Sequence, residues 1–201
     1  MTLLVTGFEP FGGEKINPSW EAVKRLPDRI GEHLLVKKEL PVVFGKAAEI
    51  AIQAAEECNA DGIFCVGQAG GRDAVTPELY GVNKRSAKIP DNDGNLVTDE
   101  VIRKGGAEKY RSTLPVEKMA EAIAAKGIPA VVSKSAGTFV CNDLLYSLLE
   151  RYAGAEKMVC FLHIPFLPEQ AGDKFPALTL EQDIEALTAA IGALEKGNGE
   201  A

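Results

Sequence analysis

Short apolar runs alternate along the chain with segments whose hydrophobic residues recur at helical spacing. The apolar runs, most of them bounded by glycine or proline, predict strands at 2–6, 34–43, 62–67, 130–134 and 157–162. The helically spaced segments predict helices at 18–26, 45–58, 116–126, 141–152 and 180–195. Residues 71–100 are rich in proline, asparagine and glycine instead, which indicates an irregular excursion from the main sheet.

Buried strands that alternate with helices are typical of a largely parallel sheet covered on both faces. We therefore expect an α/β fold, a single-domain α/β/α sandwich over residues 1–196, followed by a flexible tail at 197–201. In such sheets ligands bind beyond the carboxyl ends of the strands. Gly7, Gly67-Gln68, the loop before Cys141 and His163 all follow predicted strands, so the pattern predicts that they converge on one edge.

Composition narrows the class of protein. The chain has 201 residues, 46% of them hydrophobic, a net charge of −7 and a pI near 5.0. This acidic balance argues against nucleic acid as a partner, and no apolar run approaches the length of a membrane span. The first residues lack the charged and apolar regions of a signal peptide. Four cysteines without CxxC spacing indicate free thiols in a reducing cytoplasm, with no metal site or cofactor.

One histidine and one cysteine stand at the ends of predicted elements, where they could act as a base and a nucleophile. His163, one of only two histidines, ends an apolar strand, and Cys141 opens an amphipathic helix after Gly137-Thr-Phe-Val. Amide groups and the helix dipole at that position favour a thiolate and can donate to an oxyanion. The ordinary interpretations, a buried core thiol and a histidine bonded to a backbone carbonyl, fit these two residues equally well.

The remaining candidates read as structural. Cys65 and Cys160 lie inside apolar strands, and His33 has the context of a surface turn. Glu78, one of 29 acidic residues, reads as a solvated loop side chain. Gly67-Gln-Ala-Gly-Gly-Arg lacks a phosphate-binding fingerprint, and Gln68 within it is better suited to present an amide to a neutral ligand.

Five sequence blocks together resemble the pyroglutamyl peptidase I family, also called pyrrolidone carboxyl peptidases. They are Thr6-Gly-Phe-Glu-Pro-Phe-Gly-Gly with Asn17-Pro-Ser-Trp, Gly67-Gln-Ala-Gly-Gly-Arg, Ile89-Pro-Asp-Asn, Ser135-Ala-Gly-Thr-Phe-Val-Cys-Asn and Phe161-Leu-His-Ile-Pro-Phe-Leu-Pro-Glu-Gln. The resemblance implies a cytosolic cysteine peptidase of α/β/α fold, commonly a homotetramer. Such an enzyme removes an N-terminal pyroglutamyl residue from peptides and needs no cofactor.

The resemblance also implies roles for individual residues. Cys141 matches the nucleophile, His163 the general base and Glu78 the third member of the triad. The positions that line the lactam pocket and its polar edge match Phe8, Phe11, Phe139, Val140, Asn17 and Gln68. The alternative is a catalytically silent protein on the same fold that binds a lactam or a capped peptide.

Three positions depart from the family pattern. Leu79 and Lys88 stand where arginine is common, and Asp143 stands where histidine often follows Cys-Asn. Lysine lacks the planar fork of arginine, so Lys88 loses any bidentate contact. A carboxylate at Asp143 suits the helix dipole, but close to Cys141 it would oppose thiolate formation.

Overall fold

The computed structural model describes residues 1–194. Its strands are β1 Thr2–Phe8, β2 Arg29–Ile30, β3 His33–Leu40, β4 Gly62–Gln68, β5 Thr76–Pro77, β6 Tyr80–Val82, β7 Lys109–Arg111 and β8 Met158–Ile164. Its helices are α1 Pro18–Val23, α2 Lys46–Glu57, α3 Val116–Ala124, α4 Val140–Arg151, α5 Pro168–Ala171 and α6 Leu180–Gly192. The predicted tail at 197–201 lies outside the described residues.

A six-stranded sheet in the order β2-β3-β1-β4-β8-β5 forms the centre of the fold. Strands β3, β1, β4 and β8 run parallel, while the short edge strands β2 and β5 are antiparallel to their neighbours. Strands β6 and β7 pair antiparallel in a separate two-stranded sheet. Because the four central strands are parallel, their carboxyl ends meet at one edge of the sheet.

Side chains alternate between two apolar cores, one on each face of the sheet. Along β8, Cys160 and Leu162 belong to the core beneath α1, α3 and α6, which we call the first core. Val159 and Phe161 belong to the core beneath α2 and α4, which we call the second core. The predicted α/β/α sandwich with a largely parallel sheet is therefore confirmed.

One predicted strand is wrong. Residues 130–134 form only two isolated bridges, Ala130 with Val75 and Ser133 with Glu78. Pro77, which lies between the two partner positions, has no N–H to donate to the neighbouring segment. The hydrogen bonds from Val131 N–H to Val75 and from Ser133 N–H to Pro77 form, but the ladder between them is broken.

The surface turn predicted at His33 is also wrong. His33 opens β3, pairs with Ile30 across a tight hairpin and is only 3% exposed. The turn is formed by the two residues before His33, where Gly31 has a positive φ of 55°. Within residues 1–194, no helix has the length and apolarity that crossing a membrane requires.

Candidate active site

A cavity of about 190 Å³ opens at the carboxyl edge of the sheet. Its walls come from the ends of β1, β4 and β8 and from the start of α4. They include eight of the nine residues that the sequence singles out: Phe8, Phe11, Asn17, Gln68, Phe139, Val140, Cys141 and His163. The ninth, Glu78, is fully buried behind His163.

Cys141 is the second residue of α4, whose N-cap Phe139 has extended backbone geometry. The thiol therefore sits beside the free amides of the first helical turn. Strand β4 passes close beneath it at Gly67. A Cβ atom at Gly67 would lie 2.7 Å from the Phe161 ring and 3.0 Å from the Cys141 sulfur, so only glycine fits.

His163 and Glu78 form a buried pair. Nδ1 of His163 lies 2.8 Å from Oε1 of Glu78. The same oxygen accepts a hydrogen bond of 2.6 Å from Nη1 of Arg72, and Nη2 of Arg72 donates to the Ser135 carbonyl at 3.1 Å. A carboxylate facing Nδ1 holds the proton on that nitrogen, which leaves Nε2 as the basic nitrogen of the neutral ring.

Burial and the surrounding charges set the protonation of this pair. Burial acts to raise the pKa of Glu78, but hydrogen bonds and charge from His163, with a further bond from Arg72, bring it below its usual value. Burial lowers the pKa of His163; Glu78 opposes this change and the charge of Arg72 adds to it. The ring is therefore neutral at pH 7 and Glu78 is ionised.

The thiolate expected at Cys141 is not favoured in the free protein. Burial, followed by the negative charge of Glu78 and the proximity of Cys65, raises the pKa of Cys141 to about 12, although Arg72 lowers it in part. The amides of α4 do not outweigh the loss of solvent. Cys141 and His163 consequently rest as a neutral thiol and a neutral imidazole.

Aromatic rings form the apolar walls of the cavity. The Phe11 and Phe139 centroids are 6.0 Å apart, and Phe44 packs edge-on against Phe139 at 5.4 Å. Phe161 supports His163 from below at 4.7 Å. A flat, uncharged ring would fit between such walls and exclude water from the thiol.

Asn17 and Gln68 line the same cavity but differ in how far their amides are already engaged. Asn17 caps α1 by accepting from the amide and hydroxyl of Ser19, and it donates to the Glu9 carbonyl at 2.9 Å. Gln68 accepts one hydrogen bond, of 3.2 Å, from Gln170. Asn17 thus acts chiefly on the wall, whereas Gln68 keeps donors for a ligand.

The Ile89-Pro-Asp-Asn block fixes the mouth of the cavity, a role that its sequence does not reveal. Asp91 accepts from the Phe44 amide at 3.1 Å, and the Asn92 amide donates to the Val42 carbonyl at 3.0 Å. The Asn92 side chain donates to Glu9 at 2.7 Å. These bonds join the ends of β1 and β3, so the aromatic wall is held in place from outside.

The three departures from the family pattern lie away from the thiol. Leu79 packs in the first core and Lys88 is exposed. Asp143 is buried, accepts from the Gly45 amide at 2.8 Å and lies 3.6 Å from Arg85, in a different cavity. Burial raises the pKa of Asp143, while the Gly45 amide and the charge of Arg85 lower it in part, and the bonded oxygen faces the start of α2.

Sequence reasoning missed Arg72. It stands at the end of the Gly67-Gln-Ala-Gly-Gly-Arg block, in which the sequence suggests a role only for Gln68 and the glycines. In the structure it lines the cavity, and besides Glu78 it also contacts the hydroxyl of Thr76. A cation just before Thr76-Pro-Glu is the signal that would have suggested a partner for Glu78.

Known proteins match this chain along nearly its whole length. The pyroglutamyl peptidase family model covers residues 1–196. The pyrrolidone-carboxylate peptidase of Staphylococcus haemolyticus is 48% identical over 202 residues, covering 98% of this chain and 94% of the relative. That of Streptococcus suis is 46% identical, covering 96% of this chain and 92% of the relative.

Solved structures agree with these sequence matches. Pyroglutamyl peptidase I of Bacillus amyloliquefaciens superposes with a TM-score of 0.92 at 44% identity, covering 96% of both chains. A pyrrolidone carboxyl peptidase variant from Pyrococcus furiosus gives 0.92 at 41% identity, covering 98% of this chain and 99% of that chain. On sequence and fold alike, this chain belongs to the pyroglutamyl peptidase family.

Proposed function

We propose that the protein is a cysteine exopeptidase that hydrolyses the amide bond after an N-terminal pyroglutamyl residue. The observation that carries this proposal is the cavity in which Cys141, the His163–Glu78 pair and an aromatic slot meet. Membership of the pyroglutamyl peptidase family supports it. The position of each residue in this cavity supports its role in the reaction.

The reaction begins with Cys141 as a neutral thiol and His163 as a neutral imidazole. Nε2 of His163 takes the proton of Cys141 as the sulfur bonds to the carbonyl carbon, because the raised pKa of the thiol leaves little thiolate beforehand. Glu78 stabilises the imidazolium that forms and keeps the ring oriented. Backbone amides at the start of α4 donate to the developing oxyanion.

Collapse of this intermediate breaks the carbon–nitrogen bond. The imidazolium gives its proton to the leaving amine, and the shortened peptide departs while the pyroglutamyl group stays as a thioester on Cys141. His163 then takes a proton from a water molecule as the oxygen of that water attacks the thioester. The proton returns to the departing sulfur, which restores the thiol and releases pyroglutamate.

Recognition follows from what a pyroglutamyl group lacks. Its lactam nitrogen carries no charge, so a carboxylate or metal that grips a free α-amine would have nothing to bind. An apolar slot between Phe11 and Phe139 with amide partners at its edge suits a neutral lactam ring. A peptide with a free N-terminal glutamine must bring a charged amine into this slot, which is unfavourable.

The alternative of a silent lactam-binding protein has no support from the relatives, whose names describe peptidases. No feature of the cavity favours it over catalysis.

Release of a chromophore from a pyroglutamyl amide tests the proposal. We expect turnover by the unaltered protein, loss of kcat by at least about a thousandfold in Cys141→Ser, and a loss of about 10²–10⁴ in His163→Ala. Cys58→Ser, which removes a thiol outside the cavity, is the matched control and should keep full activity. Undiminished turnover in Cys141→Ser would exclude the thioester mechanism.

We further infer that the protein works in the cytoplasm as a homotetramer and takes neither nucleic acid nor a membrane as partner. Four free thiols support the cytoplasmic location, and a net charge of −7 supports the exclusion of nucleic acid as a partner. Assembly rests on the family resemblance, and the exposed Ile89 and Leu96 in the irregular excursion offer apolar surface for it. Light scattering after gel filtration would measure the mass directly.

A further inference from the structure

Gln170, on the short helix α5, is bonded to Gln68 at the edge of the cavity. We infer that Gln170 is a positioning residue: it turns the amide of Gln68 so that its N–H groups face the ligand, and it thereby selects a ring that carries a carbonyl oxygen. This inference rests on the proposed function, since the ring in question is the pyroglutamyl lactam.

The orientation of Gln170 is set by backbone groups whose roles cannot be exchanged. Its Oε1 accepts from the Leu167 amide at 3.2 Å, and an amide N–H can only donate. Its Nε2 donates to the Ile16 carbonyl at 3.4 Å, and a carbonyl can only accept. Turning the Gln170 amide over would therefore oppose donor to donor and acceptor to acceptor.

The fixed amide of Gln170 determines that of Gln68. Because Nε2 of Gln170 approaches Gln68 at 3.2 Å as a donor, the atom of Gln68 that meets it must be the oxygen. Nε2 of Gln68 makes no hydrogen bond to any residue within 1–194, and the side chain lines the cavity. The donors of Gln68 thus remain for a ligand, while its acceptor is already used.

A donor at this edge distinguishes between rings of the same size. The lactam of a pyroglutamyl group presents a carbonyl oxygen that accepts from Gln68, whereas a saturated five-membered ring leaves the N–H groups without a partner. An unmatched buried donor costs binding affinity, so the carbonyl is selected. Two successive hydrogen bonds, from the Leu167 amide to Gln170 and from Gln170 to Gln68, thus fix the donor that the cavity presents.

The substitution Gln170→Glu reverses the direction of the hydrogen bond between residue 170 and Gln68 and hardly changes the shape of the side chain. Its two acceptor oxygens favour a turned Gln68 that donates to residue 170 and offers its oxygen to the ligand. For a pyroglutamyl amide we expect KM to rise about tenfold to a hundredfold, with kcat changed by less than about threefold. The matched control is Glu169→Gln, an exposed neighbour on the same helix, which should leave both constants unchanged.

Two competitive inhibitors give a readout that a general structural defect would not reproduce. For 2-pyrrolidone, whose ring carries the carbonyl, Gln170→Glu should raise Ki about tenfold or more. For cyclopentanecarboxamide, whose ring has none, Ki should stay within about twofold. In a Gln68→Ala background, Gln170→Glu should have no further effect on 2-pyrrolidone, because the residue through which it acts is gone.

The outcomes separate this inference from the proposed function. An unaltered protein that fails to cleave the pyroglutamyl amide would refute the proposed function itself. An active unaltered protein whose Gln170→Glu variant keeps its KM would refute the role of Gln170 alone. Equal weakening of both inhibitors, or a loss confined to kcat, would equally contradict the selection of a carbonyl.

Discussion

A single carboxylate oxygen, Oε1 of Glu78, accepts from both His163 and Arg72. The guanidinium therefore holds the carboxylate in line with Nδ1 of the imidazole. Its positive charge also acts on both reacting groups, because it lowers the pKa of His163 and that of Cys141. Arg72 thus adjusts the chemistry from beside Glu78.

Arg72→Met should move the acid limb of the pH profile. The base is active only when neutral, and its folded pKa lies below 6.5, so kcat/KM of the unaltered protein should rise at a pH below 6.5. Removing the Arg72 charge raises that pKa, and the limb should shift to higher pH with about a tenfold loss of rate. The measurement is kcat/KM from pH 4 to 9.

Arg72→Lys provides the control for this shift. It keeps a charge near the site but loses the planar fork that joins Glu78 to the Ser135 carbonyl. We expect a lower rate with the acid limb close to its original pH. An unmoved limb in Arg72→Met would mean that the arginine acts through packing alone.

Residue context explains why some of these side chains could be identified from sequence and others could not. Cys141 and His163 are rare types at the ends of elements, so local chemistry alone makes them candidates. Glu78 is one acid among 29, and its role depends on β5 pairing with β8, which brings it against His163. Gln170 acts through partners at Ile16 and Leu167 that only the folded chain assembles.

At the scale of elements, α4 carries the nucleophile on one side and holds the two-stranded β6–β7 sheet on another. Asn142, next to Cys141 and fully buried, accepts from the Val82 amide at 2.9 Å. It also donates to the Val82 and Lys84 carbonyls, at 2.9 Å and 2.7 Å. One side chain therefore joins strand β6 and the residues just after it to the start of α4.

Asn142→Ala should destabilise the protein by about 2–4 kcal/mol, because three hydrogen bonds are lost and buried backbone groups are left without partners. Urea unfolding followed by circular dichroism measures this loss. Ser147→Ala, further along α4, is the control and should change the free energy of unfolding by less than about 0.5 kcal/mol. A similar loss of stability in both variants would mean that the hydrogen bonds of Asn142 do not contribute in the way proposed.

Elements with strong periodicity were predictable, whereas short ones depended on tertiary contacts. Strands β1, β4 and β8 and helices α2 and α4 lie within a few residues of their predicted positions. The strands β2, β5, β6 and β7 have only two or three residues each, which is too few to show a pattern. The broken ladder at 130–134 arises from Pro77, more than fifty positions away, and no local signal reports such a partner.

At the scale of the whole molecule, a buried acid makes stability depend on pH. Asp183 of α6 is fully buried, and within residues 1–194 neither of its carboxyl oxygens has a hydrogen-bond partner. Burial raises its pKa from 3.8 to about 8. Between these two values the folded protein keeps a proton that the unfolded chain has released.

The sign of the effect follows from that extra proton. Because the folded state binds more protons, the contribution of Asp183 to the free energy of unfolding falls by about 1.4 kcal/mol per pH unit from pH 4 to 8. Asp183→Asn should abolish this part of the slope in urea unfolding at pH 5, 6, 7 and 8. The exposed Asp173→Asn is the control and should retain it; an unchanged slope in Asp183→Asn would contradict the raised pKa.

The cavity and the buried acid Asp183 lie on opposite faces of the sheet, each beside a different apolar core. Phe8, Val140 and Phe161 belong to the second core, with Phe139 and Cys141 packed against it, and the cavity opens on that side. Asp183 lies on α6, above the first core, which faces the opposite side of the sheet. Substitutions on the first-core faces of α3 and α6 should therefore change thermal stability without moving the walls of the cavity, so that stability can be engineered there separately from turnover.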